Sequence, residues 1–135
     1  MELFDKFTKK ECNMYVFIEK WLDSILEQTI PADVVALNFN LYEDGCNNWS
    51  IELVGTENFD LDDEDWCCNE IFDFGTRETP LTWKAEKVWS EILEEMIQVL
   101  KKYLEQGQHS NVLKKYQGVG IGFVDGDVEI LFVKQ

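Results

Sequence analysis

Residues 34–55 read VVALNFNLYEDGCNNWSIELVG. From Val34 the apolar pattern has a period of two, with Val35, Leu37, Phe39 and Leu41 on one face. Ala36, Asn38, Asn40 and Tyr42 fall on the other. Glu43 to Asn48, with Asp44-Gly45 and Asn47-Asn48, is turn chemistry. Trp49, Ile51 and Leu53 then alternate with Ser50, Glu52 and Val54. The stretch predicts a β-hairpin with an apolar face and a polar one, as in an antiparallel sheet covered on one side. Asn38, Asn40, Ser50 and Glu52 are expected on the open face.

Upstream, Thr8 and Glu11 have capping-box spacing. Met14, Ile18, Trp21, Leu22, Ile25 and Thr29 recur at three- and four-residue intervals, which predicts a helix from about Lys9 to Gln28 stopped by Pro31. Downstream, a third strand is expected over Glu70 to Phe74. Thr79-Pro80 offers a helix start, with Thr82 as a competing cap. The long helix that follows reaches about Gln106, with Ala85, Trp89, Ile92, Leu93, Met96, Val99, Leu100 and Tyr103 on its apolar face and Gly107 as its stop. Ser110 is read as the cap of one further short helix through Val112, Leu113 and Tyr116. Asp125-Gly126 suits a two-residue type I′ turn closing a second hairpin, which sets Val119, Ile121 and Phe123 across from Phe132, Ile130 and Val128. Gly118, Gly120 and Gly122 leave the other face of that strand bare, so another element can approach closely. Together these elements predict an α+β domain spanning residues 1–135. Its antiparallel sheet has about four to five strands (two hairpins plus the third strand), with two main helices on one face.

The charge is unevenly distributed. The net charge of −15 falls almost wholly between Trp21 and Thr76, which hold fourteen acids and no Lys, Arg or His. Asp60 to Asp65 is the densest point. Such a surface repels phosphate backbones and anionic lipids and favours a basic partner, drawn in faster at low salt. Direct binding to nucleic acid or membrane is therefore not expected. Met1 to Lys10 lacks the apolar core of a signal peptide, and no run approaches the roughly 18–20 apolar residues that span a bilayer. Cys12, Cys46, Cys67 and Cys68 follow no disulfide framework, so free thiols and a cytoplasmic location are expected.

No catalytic, metal or cofactor signature accompanies the charge. Gly118 to Gly122 lacks the third glycine of a dinucleotide loop, which is Phe123, and has no helix after it. Asp73-Phe74-Gly75 matches a kinase tripeptide by letters only. Asp60, Asp62 and Glu64 have the spacing of the first calcium-loop ligands, but Asp65 stands where the glycine belongs and Ile71 where the closing Glu belongs. His109 is the only histidine, and no Gly-x-Ser-x-Gly elbow supports a nucleophile. Trp66, with Phe59 and Leu61, lies within the acidic loop. It is read either as a tie to the body of the protein or as an aromatic anchor for a partner.

The strand Asn38-Phe39-Asn40-Leu41-Tyr42, its return Asn48-Trp49-Ser50-Ile51-Glu52, the Asp65-Trp66-Cys67-Cys68 loop, the long helix and the Gly120-Ile121-Gly122-Phe123 hairpin together resemble the immunity proteins of bacterial polymorphic-toxin and contact-dependent inhibition systems. That resemblance implies a small cytosolic protein, not an enzyme, that binds and blocks a cognate toxin, often a nuclease, without a cofactor. Glu57, Asp60, Asp62, Asp63, Glu64, Asp65 and Trp66 are the expected contact residues. The alternatives are an acidic DNA-mimic inhibitor of a nucleic-acid-binding protein and, after it, a carboxylate-metal hydrolase.

Overall fold

In the computed structural model the backbone is described for residues 2–135 and the side chains for residues 14–135. Helix α1 (Glu2–Ile25) leads into the hairpin β1 (Ala36–Gly45) and β2 (Asn48–Thr56). The acidic loop contains a single 3-10 turn, Glu64–Cys68, and ends in β3 (Glu70–Phe72). There follow β4 (Leu81–Lys84), α2 (Trp89–Gln106), the short α3 (Ser110–Leu113), and β5 (Gly118–Phe123) with β6 (Glu129–Val133). Helix α1 is continuous from Glu2, so it does not begin at the expected Thr8 cap. The side chains of Thr8 and Glu11 lie outside the described residues.

The sheet has six strands and is mixed, which corrects the expected antiparallel sheet of four to five. Its order is β3-β2-β1-β5-β6, with β4 also on β2. The expected central hairpin is present, with Leu37 opposite Gly55 through Tyr42 opposite Ser50. The parallel contact comes from β5, which aligns Leu37 with Val119 and Leu41 with Phe123. A parallel partner needs a long crossover, and the segment carrying α2 supplies it. Two pieces share the outer edge of β2. β3 takes its Gly55–Thr56 end and β4 its Asn48–Ile51 end. In the gap between them, Thr76 Oγ1 accepts from the Leu53 N–H at 2.9 Å and donates to the Leu53 carbonyl at 3.1 Å.

Three local expectations are corrected. First, α2 starts at Trp89 rather than after Thr79-Pro80. Leu81, Trp83 and Ala85 turn inward while Thr82, Lys84 and Glu86 turn out, a period of two that makes this stretch a strand. The helix is started instead by Glu91, whose Oε1 accepts from the Val88 N–H at 3.1 Å. Second, Asp125-Gly126 forms no type I′ turn, since neither residue has positive φ. That conformation belongs to the first hairpin, at Gly45, Cys46 and Asn47, with φ of 87°, 53° and 65°. Third, a bulge after Val119 shifts the last pair. Val119 meets Phe132 as expected, but Ile121 lies opposite Glu129. The third strand stops at Phe72, because Phe74 has φ of 57°.

The core lies between one sheet face and the helices. Leu37, Phe39, Leu41, Ile51, Leu53, Val119 and Ile121 pack against Ile18, Leu22, Ile92, Met96, Leu100 and Tyr103. Each such side chain contributes roughly 1.5–3 kcal/mol by leaving water. Tyr103 also ties the helices: its hydroxyl donates to Asp23 Oδ1 at 2.7 Å and accepts from the His109 N–H at 3.1 Å. Helix α2 ends at Gly107 with φ of −68°, not in a left-handed cap. Glycine is needed there because the Tyr103 ring fills the space of a side chain, with Cδ2 2.5 Å from where a Cβ would lie.

The opposite sheet face departs most from expectation. It is not open. Asn38, Ser50 and Glu52 are all buried. The acidic loop folds back beside Asn38, and Asn40, Tyr42 and Arg77 close over Glu52.

Candidate functional site

The loop between β2 and β3 closes at its base, where the Glu57 N–H donates to the Asn69 carbonyl at 3.0 Å and Asn69 Nδ2 to Asn58 Oδ1 at 2.9 Å. It is a compact loop with adjacent ends, packed by its own side chains. Trp66 holds it down. Its ring is 2% exposed and meets Phe59 edge-on, with centroids 4.9 Å apart. Beneath them runs the glycine strip of β5. A Cβ on Gly118 would collide with the Phe59 ring, and one on Gly120 would lie 3.1 Å from Trp66 Cζ2. The alternate glycines therefore serve close approach, and the loop's aromatic residues are what approaches.

Docking the aromatics leaves the carboxylates outside. Glu57, Asp60, Asp62, Asp63, Glu64 and Asp65 are all exposed. Asp60 accepts from the Asp62 N–H at 2.9 Å, and Asp63 from the Asp65 N–H at 3.0 Å, capping the 3-10 turn. Glu64 Oε1 accepts from the Val128 N–H at 3.0 Å and joins the loop to the segment before β6. Among the described residues, no Lys, Arg or His forms an ion pair with any of the six. The structure thus brings together the six acids expected to bind a partner, and separates Trp66 from them by burying it. The exposed indole is Trp89, 56% exposed at the start of α2 and edge-on to Phe123. Helical periodicity places it on the core face, but it stands in the first turn of α2, where the core side begins only at Ile92.

Between the loop and the sheet is a cleft of about 390 Å³. Its walls include Asn38, Asn40, Tyr42, Asp65, Cys67 and Arg77. Under it, three donors converge on Glu52 Oε1: Asn40 Nδ2 at 2.9 Å, the Tyr42 hydroxyl at 2.6 Å and Arg77 Nη2 at 3.1 Å. Arg77 Nη2 also reaches Glu70 Oε2 at 2.7 Å. Burial pushes the Glu52 carboxyl up, but hydrogen bonds from Arg77, Tyr42 and Asn40 outweigh it and hold it below the ordinary glutamate range. The Tyr42 hydroxyl is pushed up to about 12, by burial first and then by Glu52. Bonds to Glu70 and Glu52 raise the Arg77 guanidinium further.

Glu52 stays ionised and Tyr42 stays protonated, so neither is poised to exchange a proton near neutrality. The Cys67 thiol is pushed up to about 11 by burial and by Cys68, which disfavours the thiolate. Among the described residues no three His, Cys, Asp or Glu side chains are grouped to hold a metal ion.

A larger groove, about 820 Å³, runs along α2 beside Met14 and Tyr15. Its two cations are already engaged: Lys87 pairs with Glu95 at 3.1 Å, and Lys102 Nζ lies 4.4 Å over the Tyr15 ring. No helix among the described residues is long and apolar enough to cross a membrane. Searches against protein-family models, curated proteins and solved structures gave no match to this chain.

Proposed function

We propose that the protein is a non-catalytic inhibitor of the immunity type, which binds a basic toxin domain through the acidic loop. The observation that carries this reading is the set of six exposed carboxylates on one docked loop, with no cation paired to them among the described residues. A fold gains nothing from concentrating unpaired like charge, since self-repulsion opposes the compact state. A partner that presents Lys and Arg relieves that repulsion. Steering by such a patch raises association rates, and wrong partners are rejected by like charge.

The loop's closed base and buried Trp66 favour binding by a preformed surface. Less ordering entropy is then lost on contact than a free loop would lose. Trp66 is buried and gives the loop its base, so the contact rests on the carboxylates themselves. A DNA mimic needs carboxylates strung along the surface at phosphate spacing. Here they are gathered in one loop, which favours the toxin-binding reading.

The test is co-expression with the toxin domain encoded by the neighbouring reading frame. The wild-type chain is expected to restore growth and to co-purify with that domain. A variant carrying Asp60→Asn, Asp62→Asn and Asp65→Asn is expected to fold normally yet protect poorly. Full protection by the triple variant would contradict the assignment.

A further inference from the structure

We propose that the cleft between the acidic loop and the sheet is the seat of one basic side chain of the protein partner, with Asn38 Oδ1 as its innermost acceptor. The inference rests on the toxin-binding reading and assigns that surface its specificity pocket. The starting point is an orphan. Asn38 is 1% exposed, and its Oδ1 has no hydrogen-bond partner. Buried polar atoms are normally paired, and an unmade bond costs about 1–3 kcal/mol.

The orientation of that amide is fixed by its neighbours. Glu52, an ionised carboxylate, only accepts, so Asn40 must turn its Nδ2 toward it. That presents Asn40 Oδ1 to Asn38, which donates its own Nδ2 at 2.7 Å. Asn38 Oδ1 is left as the free end of a chain of amides all donating toward one negative charge. Each donation polarises the amide behind it, so the terminal oxygen is a stronger acceptor than an isolated amide.

Its surroundings indicate what would fill it. The Asn38 side chain lines the cleft, and its Oδ1 is sealed at the point on Gly120 where Val128 and Trp66 also converge. Of these covers, the Val128 side chain alone is half-exposed and carried on a loop. Glu64, Asp65 and Glu70 rim the opening, and the one cation there, Arg77, is already held by Glu52 and Glu70. A ligand must therefore bring a donor and a positive charge together. Guanidinium suits best, because its planar fork gives donors to Asn38 Oδ1 and Asp65 at once. The volume of about 390 Å³ accommodates the group with its aliphatic stem.

The experiment is an NMR titration of the full chain, following the Asn38 side-chain amide, with N-acetylarginine amide as probe. N-acetyllysine amide, tetramethylammonium and a hexa-arginine peptide are run in parallel. A saturable shift at Asn38 with the arginine probe is expected, weaker with the lysine probe and absent with tetramethylammonium, which has no donor. Asp65→Asn, at an exposed position, is expected to weaken binding about tenfold, and Asn38→Ala to abolish it. Val128→Ala, which thins the cover, is expected to tighten it. No saturable shift at Asn38, or an equal one from tetramethylammonium, overturns the proposal. If hexa-arginine still binds the loop in that event, the cleft assignment fails while the toxin-binding reading stands. If only the single-residue probe binds, the cleft stands and the reading fails.

Discussion

The indole of Trp66 lies against Gly120, so closely that a methyl group on Gly120 would meet Cζ2 at 3.1 Å. One contact thus joins the acidic loop to the strand that pairs in parallel with the central hairpin. The loop is a fixed part of the fold, and its charges stand on a rigid base.

Removing the ring tests that role. Trp66→Ala is expected to cost about 3–5 kcal/mol in urea denaturation, the usual range for emptying a buried aromatic site. Amide exchange should accelerate over residues 57–69 before it does in α2. Gly118→Ala, which forces the Phe59 ring aside, should loosen the same segment at a smaller cost of about 1–3 kcal/mol. A surface Trp would show neither effect.

Glu52 gives the fold an acid-sensitive component. Its folded carboxyl is held below the ordinary range, so its contribution is fully present above the unfolded pKa of about 4.3. That contribution is lost as pH falls through the lower, folded value. Glu52→Gln should destabilise the protein at pH 7 by about 1–3 kcal/mol, since charge-assisted bonds from Arg77, Tyr42 and Asn40 are weakened. The gap between variant and wild type should then narrow in denaturation curves taken below about pH 4. A gap of constant size would show that the carboxylate charge is not what the network uses.

Cys67 reports the placement of the 3-10 turn. Its thiol is pushed up to about 11 by burial and by Cys68, so little thiolate exists at pH 8. Iodoacetamide should modify Cys67 well behind a thiol in an unstructured peptide, as followed by peptide mass. Trp66→Ala should remove the delay.

Much of the fold could be read from particular residues. The period-two runs on either side of Asp44-Gly45 predict the hairpin and its helix-side face, because burial on that side enforces alternation. The spacing from Ile92 to Tyr103 predicted α2 for the same reason. The reading failed where one pattern has two physical causes. Asn38, Ser50 and Glu52 look solvent-facing because they are polar, but they are buried, and Glu52 is satisfied by Asn40, Tyr42 and Arg77. The alternate glycines of β5 signal room for another element, yet nothing in the local pattern names Trp66 as that element, because it lies far away in the sequence. The parallel pairing of β1 and β5 was also hidden, since both strands are apolar on the helix side in either orientation. Leu81, Trp83 and Ala85 carried a legible period-two signal, which the stronger helix-start signal of Thr79-Pro80 obscured.

The central claim, that the loop's unpaired carboxylates guide a basic partner, is tested most directly by stopped-flow association with the basic protein that co-purifies with the wild-type chain, over a range of ionic strength. The wild-type rate should fall steeply with salt. The variant carrying Asp60→Asn, Asp62→Asn and Asp65→Asn should associate about tenfold more slowly at low salt and show a flattened dependence. Superimposable curves for the two proteins would contradict the account.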